Sequence, residues 1–108
     1  MAQPDRIILL YLALADVSGK MLAAARAEHW DSLVMLEVEC AAQVAALRSD
    51  EALASLSGQQ NQTKAALIIR ILADDGELRQ LLAARMAQLS NRMHSASTER
   101  KLLRAYGG

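Results

Sequence analysis

From Ile7 to Ala25 the apolar residues return every third or fourth position: Ile7, Leu10, Tyr11, Leu14, Val17, Met21, Leu22 and Ala25. A strand would repeat every second residue, so this spacing dictates a helix with one apolar stripe. The one proline, Pro4, stands just ahead of the stripe. A first helical turn has no use for the N–H that proline lacks, so a helix is expected over residues 5–27. Ile8, Leu9 and Leu12 fall outside the stripe. The helix is therefore apolar on more than one side near its start. These three residues are candidates for self-association, with a homodimer as the product.

The remaining chain is of the same kind. Apolar residues make up 53 % of the 108, and there is no Phe, one Trp and two Tyr. Ala and Leu carry most of the apolar fraction. Strong helix formers dominate and β-branched and aromatic residues are few, which predicts an all-α fold. The length suits a single domain, residues 1–108, with one core.

Ala27-Glu28-His29 reads as a short connection, and Asp31 suits the first turn of a second helix over residues 30–49. Leu33, Leu36, Cys40, Val44 and Leu47 form one seam of that helix. Trp30, Val34, Val38 and Ala41 form a neighbouring one. So short a connection makes the first two helices an antiparallel hairpin. The polar stretch from Ser55 to Gln62, with Gly58, reads as the main loop. A third helix is expected over 61–73, with Leu67, Ile68, Ile71 and Leu72 as its apolar face. Asp74-Asp75-Gly76-Glu77 then breaks the pattern, and Asp74 and Glu77 have the spacing of a capping box. A fourth helix over 75–106 carries Leu78, Leu82, Met86, Leu89, Met93, Ala96 and Leu103 in one stripe. Ser and Thr between His94 and Thr98 weaken it, because their hydroxyls compete for backbone hydrogen bonds. Gly107-Gly108 closes the sequence. The expected architecture is an antiparallel helical hairpin or bundle of about four helices.

Twelve basic residues balance twelve acidic ones, so nothing calls for a nucleic-acid or membrane partner. The charges are nevertheless sorted. Glu28, Asp31, Glu37, Glu39, Asp50 and Glu51 face a single Arg48 in the second segment. Arg79, Arg85, Arg92, Arg100, Lys101 and Arg104 outnumber Glu77 and Glu99 in the last. The two segments suit each other or suit different partners. No aromatic residue interleaves the basic ones for base stacking, and no helix-turn-helix pattern aims them into a groove. They read as a solvated basic face.

Catalysis needs a nucleophile, base or metal held in a pocket, and the residue types for it are scattered. His29 and His94 are far apart and neither has a second ligand at metal-binding spacing. Cys40 lies near Glu37 and Glu39, which raise a thiol pKa and do not activate it. As the only cysteine it reads as a packed thiol. Gly58 and Gly76 stand alone, so no glycine-rich phosphate loop is present. Asp74 and Asp75 look like capping residues. The chain reads as a binding protein without cofactor or metal, not as an enzyme. Asp5 and Asp16 bracket the apolar run from Ile7 to Ala15, which is too short to span a bilayer and lacks a signal-peptide cleavage site. The cytosol is the expected compartment.

Three stretches resemble the flagellar export chaperone FliT family. The first is Met21-Leu22-Ala23-Ala24-Ala25-Arg26-Ala27-Glu28-His29-Trp30-Asp31-Ser32-Leu33, similar to the family's helix end, short connection and Trp-Asp start. The second is Leu72-Ala73-Asp74-Asp75-Gly76-Glu77-Leu78-Arg79-Gln80-Leu81-Leu82, followed by Arg85-Met86-Ala87-Gln88-Leu89-Ser90. It resembles the family's acidic turn and Arg-containing last helix, with Gly76 in place of a bulkier polar residue. The third is Leu102-Leu103-Arg104-Ala105-Tyr106-Gly107, close to the family's Ala-Tyr-Gly ending. Order and spacing agree from about residue 6 to 107.

The resemblance implies a chaperone of flagellar type III secretion. Its expected partners are the filament-cap protein (FliD), the export ATPase complex and, in some bacteria, the flagellar master regulator (FlhDC). It associates the early helices with self-association and the later ones with the cap protein. Leu67, Ile68, Ile71, Leu72, Leu78, Leu82, Met86 and Leu89 are the candidates for an apolar partner-binding groove. Leu102, Leu103 and Tyr106 are candidates for a C-terminal regulatory segment. The competing readings are a helical homo-oligomeric assembly or adaptor protein, and a DNA-linked regulator.

Overall fold

The computed structural model describes residues 4–51 and 55–106. Among them there are three helices and no strand: α1 (Pro4–Arg26), α2 (Trp30–Glu51) and α3 (Gly58–Tyr106). The chain divides into two units, one ending at Leu78 and one beginning at Arg79.

In the first unit α1 is the central element. Its stripe is buried as its spacing predicts: Ile7, Tyr11, Leu14, Val17, Met21, Leu22 and Ala25 all face inward, Ile7 completely. α1 ends in a Schellman motif. His29 N–H donates to Ala24 C=O at 2.8 Å and Glu28 N–H to Ala25 C=O at 3.1 Å. Glu28 holds the left-handed conformation, φ 59°, that this motif usually gives to glycine. The turn reverses the chain, and His29 C=O accepts the first bond of α2, from Leu33 N–H at 3.1 Å. α2 then runs antiparallel to α1, bringing Asp50 back to an ion pair with Arg6.

α3 enters on a capping box. Gln60 N–H donates to Ser57 Oγ at 3.1 Å, and Ser57 N–H donates to the Gln60 side-chain oxygen at 2.9 Å. The helix therefore begins at Gly58, inside the stretch expected to be loop. Its first five turns run parallel to α1. Gln60 Nε2 reaches Asp5 Oδ1 at 3.3 Å, Lys64 Nζ stands 5.6 Å from the centre of the Tyr11 ring, and Arg26 meets Glu77. Ile7, Tyr11, Leu14 and Ala15 from α1, Leu47 from α2 and Leu67 from α3 make one core cluster. Leu10, Cys40, Val44, Leu56, Ile68 and Ile71 pack around it.

The expected separation of a third helix (61–73) from a fourth (75–106) is not found: α3 passes through Asp74-Asp75-Gly76-Glu77 unbroken. Glu77 does not cap a helix there. It serves Arg26 of α1. A glycine in a helix interior costs about 1 kcal/mol relative to Ala, which a helix anchored on both sides absorbs. Between His94 and Thr98, where the stripe weakens, the helix runs on to Tyr106, the C-terminal bound expected for it. Thr98 Oγ donates to His94 C=O at 3.0 Å, so the hydroxyl is accommodated within the helix. The expected Gly107-Gly108 ending lies outside the described residues.

Candidate functional site

The residues expected to form a partner groove have different fates. In the first unit Leu67 and Leu78 are buried and Ile68 and Ile71 pack against the core, so these four serve the domain's own interior. Leu72 points outward and is 63 % exposed. In the second unit Leu82 and Leu89 are half-buried and Met86 is exposed. Met93, Leu102, Leu103 and Tyr106 of that unit are exposed as well. The expected regulatory residues thus lie on a helix, with their side chains in water.

Of the candidates for self-association, Leu9 and Leu12 are exposed and Ile8 is half-buried. Ile8 and Leu9 line a shallow recess of about 360 Å³ with Asp5, Gln59, Gln60 and Thr63. The apolar patch on α1 is short. One turn beyond Leu12 the same face carries Asp16, paired with Lys20 at 3.0 Å.

A longer apolar surface lies on α2, and periodicity alone does not single it out. Two seams run side by side along that helix. One supplies Leu33, Leu47, Cys40 and Val44 to the interior. The other leaves Val34, Met35 and Val38 between 60 and 75 % exposed, with Ala41, Ala42 and Ala45 beyond them in water. Only a structure shows which seam the hairpin turns inward.

Among the described residues no group of three His, Cys, Asp or Glu is placed to hold a metal ion. His29 and His94 are both exposed, one at the end of the α1–α2 turn and one on α3 of the second unit. Cys40 is half-buried, and burial, followed by the charges of Asp75 and Glu37, pushes its thiol pKa up. That makes it a poorer nucleophile at neutral pH. Asp74 and Asp75 are half-buried within α3 and do not begin a helix.

α1 (Asp5–Arg26) is long and apolar enough to cross a membrane by length and composition, with a mean hydropathy of 1.7 in its most apolar 18-residue window. The run from Ile7 to Ala15 considered alone understates this. In the first unit Ile7, Tyr11, Leu14 and Ala15 of that run form the core.

The family model described as "Flagellar protein FliT" matches residues 9–108. The chain is 33 % identical over 104 residues to "Flagellar protein FliT" of Photorhabdus laumondii, covering 94 % of this chain and 81 % of that one. The protein of the same name from Escherichia coli O6:K15:H31 is 33 % identical over 104 residues, covering 91 % and 84 %. The crystal structure of flagellar protein FliT from Bordetella bronchiseptica superimposes with a TM-score of 0.70 at 30 % identity. That match spans 79 % of this chain and 96 % of the other.

Proposed function

From the flagellar protein FliT family, to which this chain belongs, we propose that it acts as an export chaperone. In this reading it binds the C-terminal region of the filament-cap protein in the cytosol, before type III secretion, and delivers it to the export ATPase complex. The observation that supports the reading most is the match over residues 9–108. A second support is physical. Leu72 in the first unit and Met86, Met93, Leu102 and Leu103 in the second leave apolar area in water on α3. Such area suits an apolar partner segment, and unbranched methionines adapt to whatever fills them. In some organisms the flagellar master regulator is a further partner of this kind of protein, and the proposal extends to it.

Calorimetric titration with the C-terminal region of the cognate cap protein tests the proposal. Saturable one-to-one binding is expected. Absence of binding, both by the full chain and by a chain ending at Asn91, defeats it. A chain ending at Asn91 that binds more tightly than the full chain would assign Leu102, Leu103 and Tyr106 a competing, regulatory role. Equal affinities would remove that role.

A further inference from the structure

The balance of twelve bases and twelve acids over the whole chain conceals a local surplus. The second unit, from Arg79 onward, holds Arg79, Arg85, Arg92, Arg100, Lys101 and Arg104 against one acid, Glu99. Six bases less one acid leave five positive charges on a single stretch of α3. Arg92, Arg100, Lys101 and Arg104 are fully in water.

These charges are not spread evenly around the helix. Each residue of an α-helix turns the chain by about 100°. On that geometry Leu82, Met86, Leu89, Met93 and Ala96 form one apolar stripe, roughly 80° wide. All six bases fall on the half of the helix that holds the stripe. Arg85 and Arg92 border it on one side, and Arg79 and Lys101 on the other. Arg100 and Arg104 continue the stripe itself beyond Ala96. The opposite half carries mostly amides, hydroxyls and alanines, with Leu81 and Glu99 at its edge and Leu102 and Tyr106 in its last turns.

Cations that flank and then interrupt an apolar stripe suit a lipid surface better than a protein helix. In a helix pair Arg100 would stand in the seam and need an acid buried opposite it. At a bilayer interface the long arginine stems lie along apolar surface while their guanidinium groups reach the phosphates. Stable attachment there takes two signals, apolar area and positive charge, and this helix has both on one side. Met86 and Met93 supply the most open part of the apolar area, at 65 and 73 % exposure. We propose that the second unit lies flat on bilayers rich in anionic phospholipid. Met86 and Met93 meet the acyl boundary, and Arg92, Arg100 and Arg104 meet the headgroup phosphates. The contact is with the interface and is not a span, because the opposite half of the helix is polar.

Co-sedimentation of the full chain with vesicles tests the proposal. The assay contains no cap protein, so its outcome is separate from that of the titration above. Phosphatidylcholine vesicles with about one-third phosphatidylglycerol should bind the chain, and pure phosphatidylcholine should not. Salt at about 1 M should release it. Arg100→Gln, Lys101→Gln and Arg104→Gln together should weaken binding about a hundredfold. Met93→Gln should weaken it about threefold to tenfold. All four residues are exposed, and unchanged helical ellipticity without vesicles checks that the variants fold. Absence of binding to the anionic vesicles overturns the proposal and leaves the face to an acidic helix or a second copy. Equal binding to both kinds of vesicle overturns it as well. So does binding that neither variant weakens, which would point to α1, long and apolar enough to enter a membrane by itself.

Discussion

Arg26 Nε and Nη2 both donate to Glu77 Oε1, at 3.1 and 2.5 Å, across 51 residues of sequence. The pair ties the last turn of α1 to α3 exactly where a helix break would be expected from Asp74-Asp75-Gly76-Glu77. The guanidinium's pKa is raised by its hydrogen bond and charge interaction with Glu77, with Asp74 adding to it. Both side chains are substantially exposed, so the pair positions more than it stabilises. Glu77→Gln should lower the urea midpoint only slightly, and 1 M salt, a concentration at which screening length falls to about 3 Å, should erase the difference. A large loss that persists in salt would show that Glu77 does more than pair with Arg26.

Gly76 is helical and exposed, and a Cβ there would meet nothing within 4 Å. Gly76→Ala should therefore stabilise the protein by about 1 kcal/mol, the helix-interior difference between the two residues. Chemical denaturation would measure it. A loss of stability would mean that α3 bends or breaks at this position in solution.

The start of α3 rests on the reciprocal bonds of Ser57 and Gln60. Ser57→Ala removes the hydroxyl that accepts from Gln60 N–H and should cost about 1 kcal/mol. The backbone bond from Asn61 N–H to Ser57 C=O, 2.9 Å long, does not involve the hydroxyl, so the helix should shorten little in that variant. Thermal unfolding followed by circular dichroism would show a lower midpoint with nearly unchanged ellipticity at low temperature.

The raised pKa of Cys40 has a consequence for its chemistry. Burial and the charges of Asp75 and Glu37 hold the proton on the folded thiol at pH values where an unfolded cysteine begins to lose it. Alkylation by iodoacetamide at pH 8 should be slower in the native protein than in urea. The same shift makes a stability contribution that is complete below the unfolded thiol pKa and lost as pH rises through the folded one. Equal alkylation rates in the two states would refute this environment.

Much of this fold is legible in the sequence. The stripe from Ile7 to Ala25 gives α1 and its buried face, and the three residues after Arg26 give the hairpin. The capping box at Ser57 and Gln60 is also readable there, hidden by a glycine and a run of amides that look like loop. Other features are not readable, for a physical reason. Glu77 has two possible partners, a nearby backbone N–H or a distant Arg26, and local spacing shows only the first. Leu67 and Leu72 sit on the same apolar helix stretch, yet one is core and the other is in water. α2 has two adjacent seams, and the turn at Glu28 decides which one the interior receives.

Glu28 shows how a single backbone angle reaches beyond its turn. A left-handed conformation costs an L-residue about 1–2 kcal/mol, and the chain accepts this at a position where glycine would be free of it.

The core formed around α1 has a consequence for the order of events at the ribosome. Ile7, Tyr11 and Leu14 pack in one cluster with Leu47 and Leu67, which are translated 33 to 60 residues later. During that interval these apolar side chains lack their full set of α2 and α3 partners. Packing of the first helix therefore waits on α2 and α3, and whatever meets its apolar face first competes directly with them.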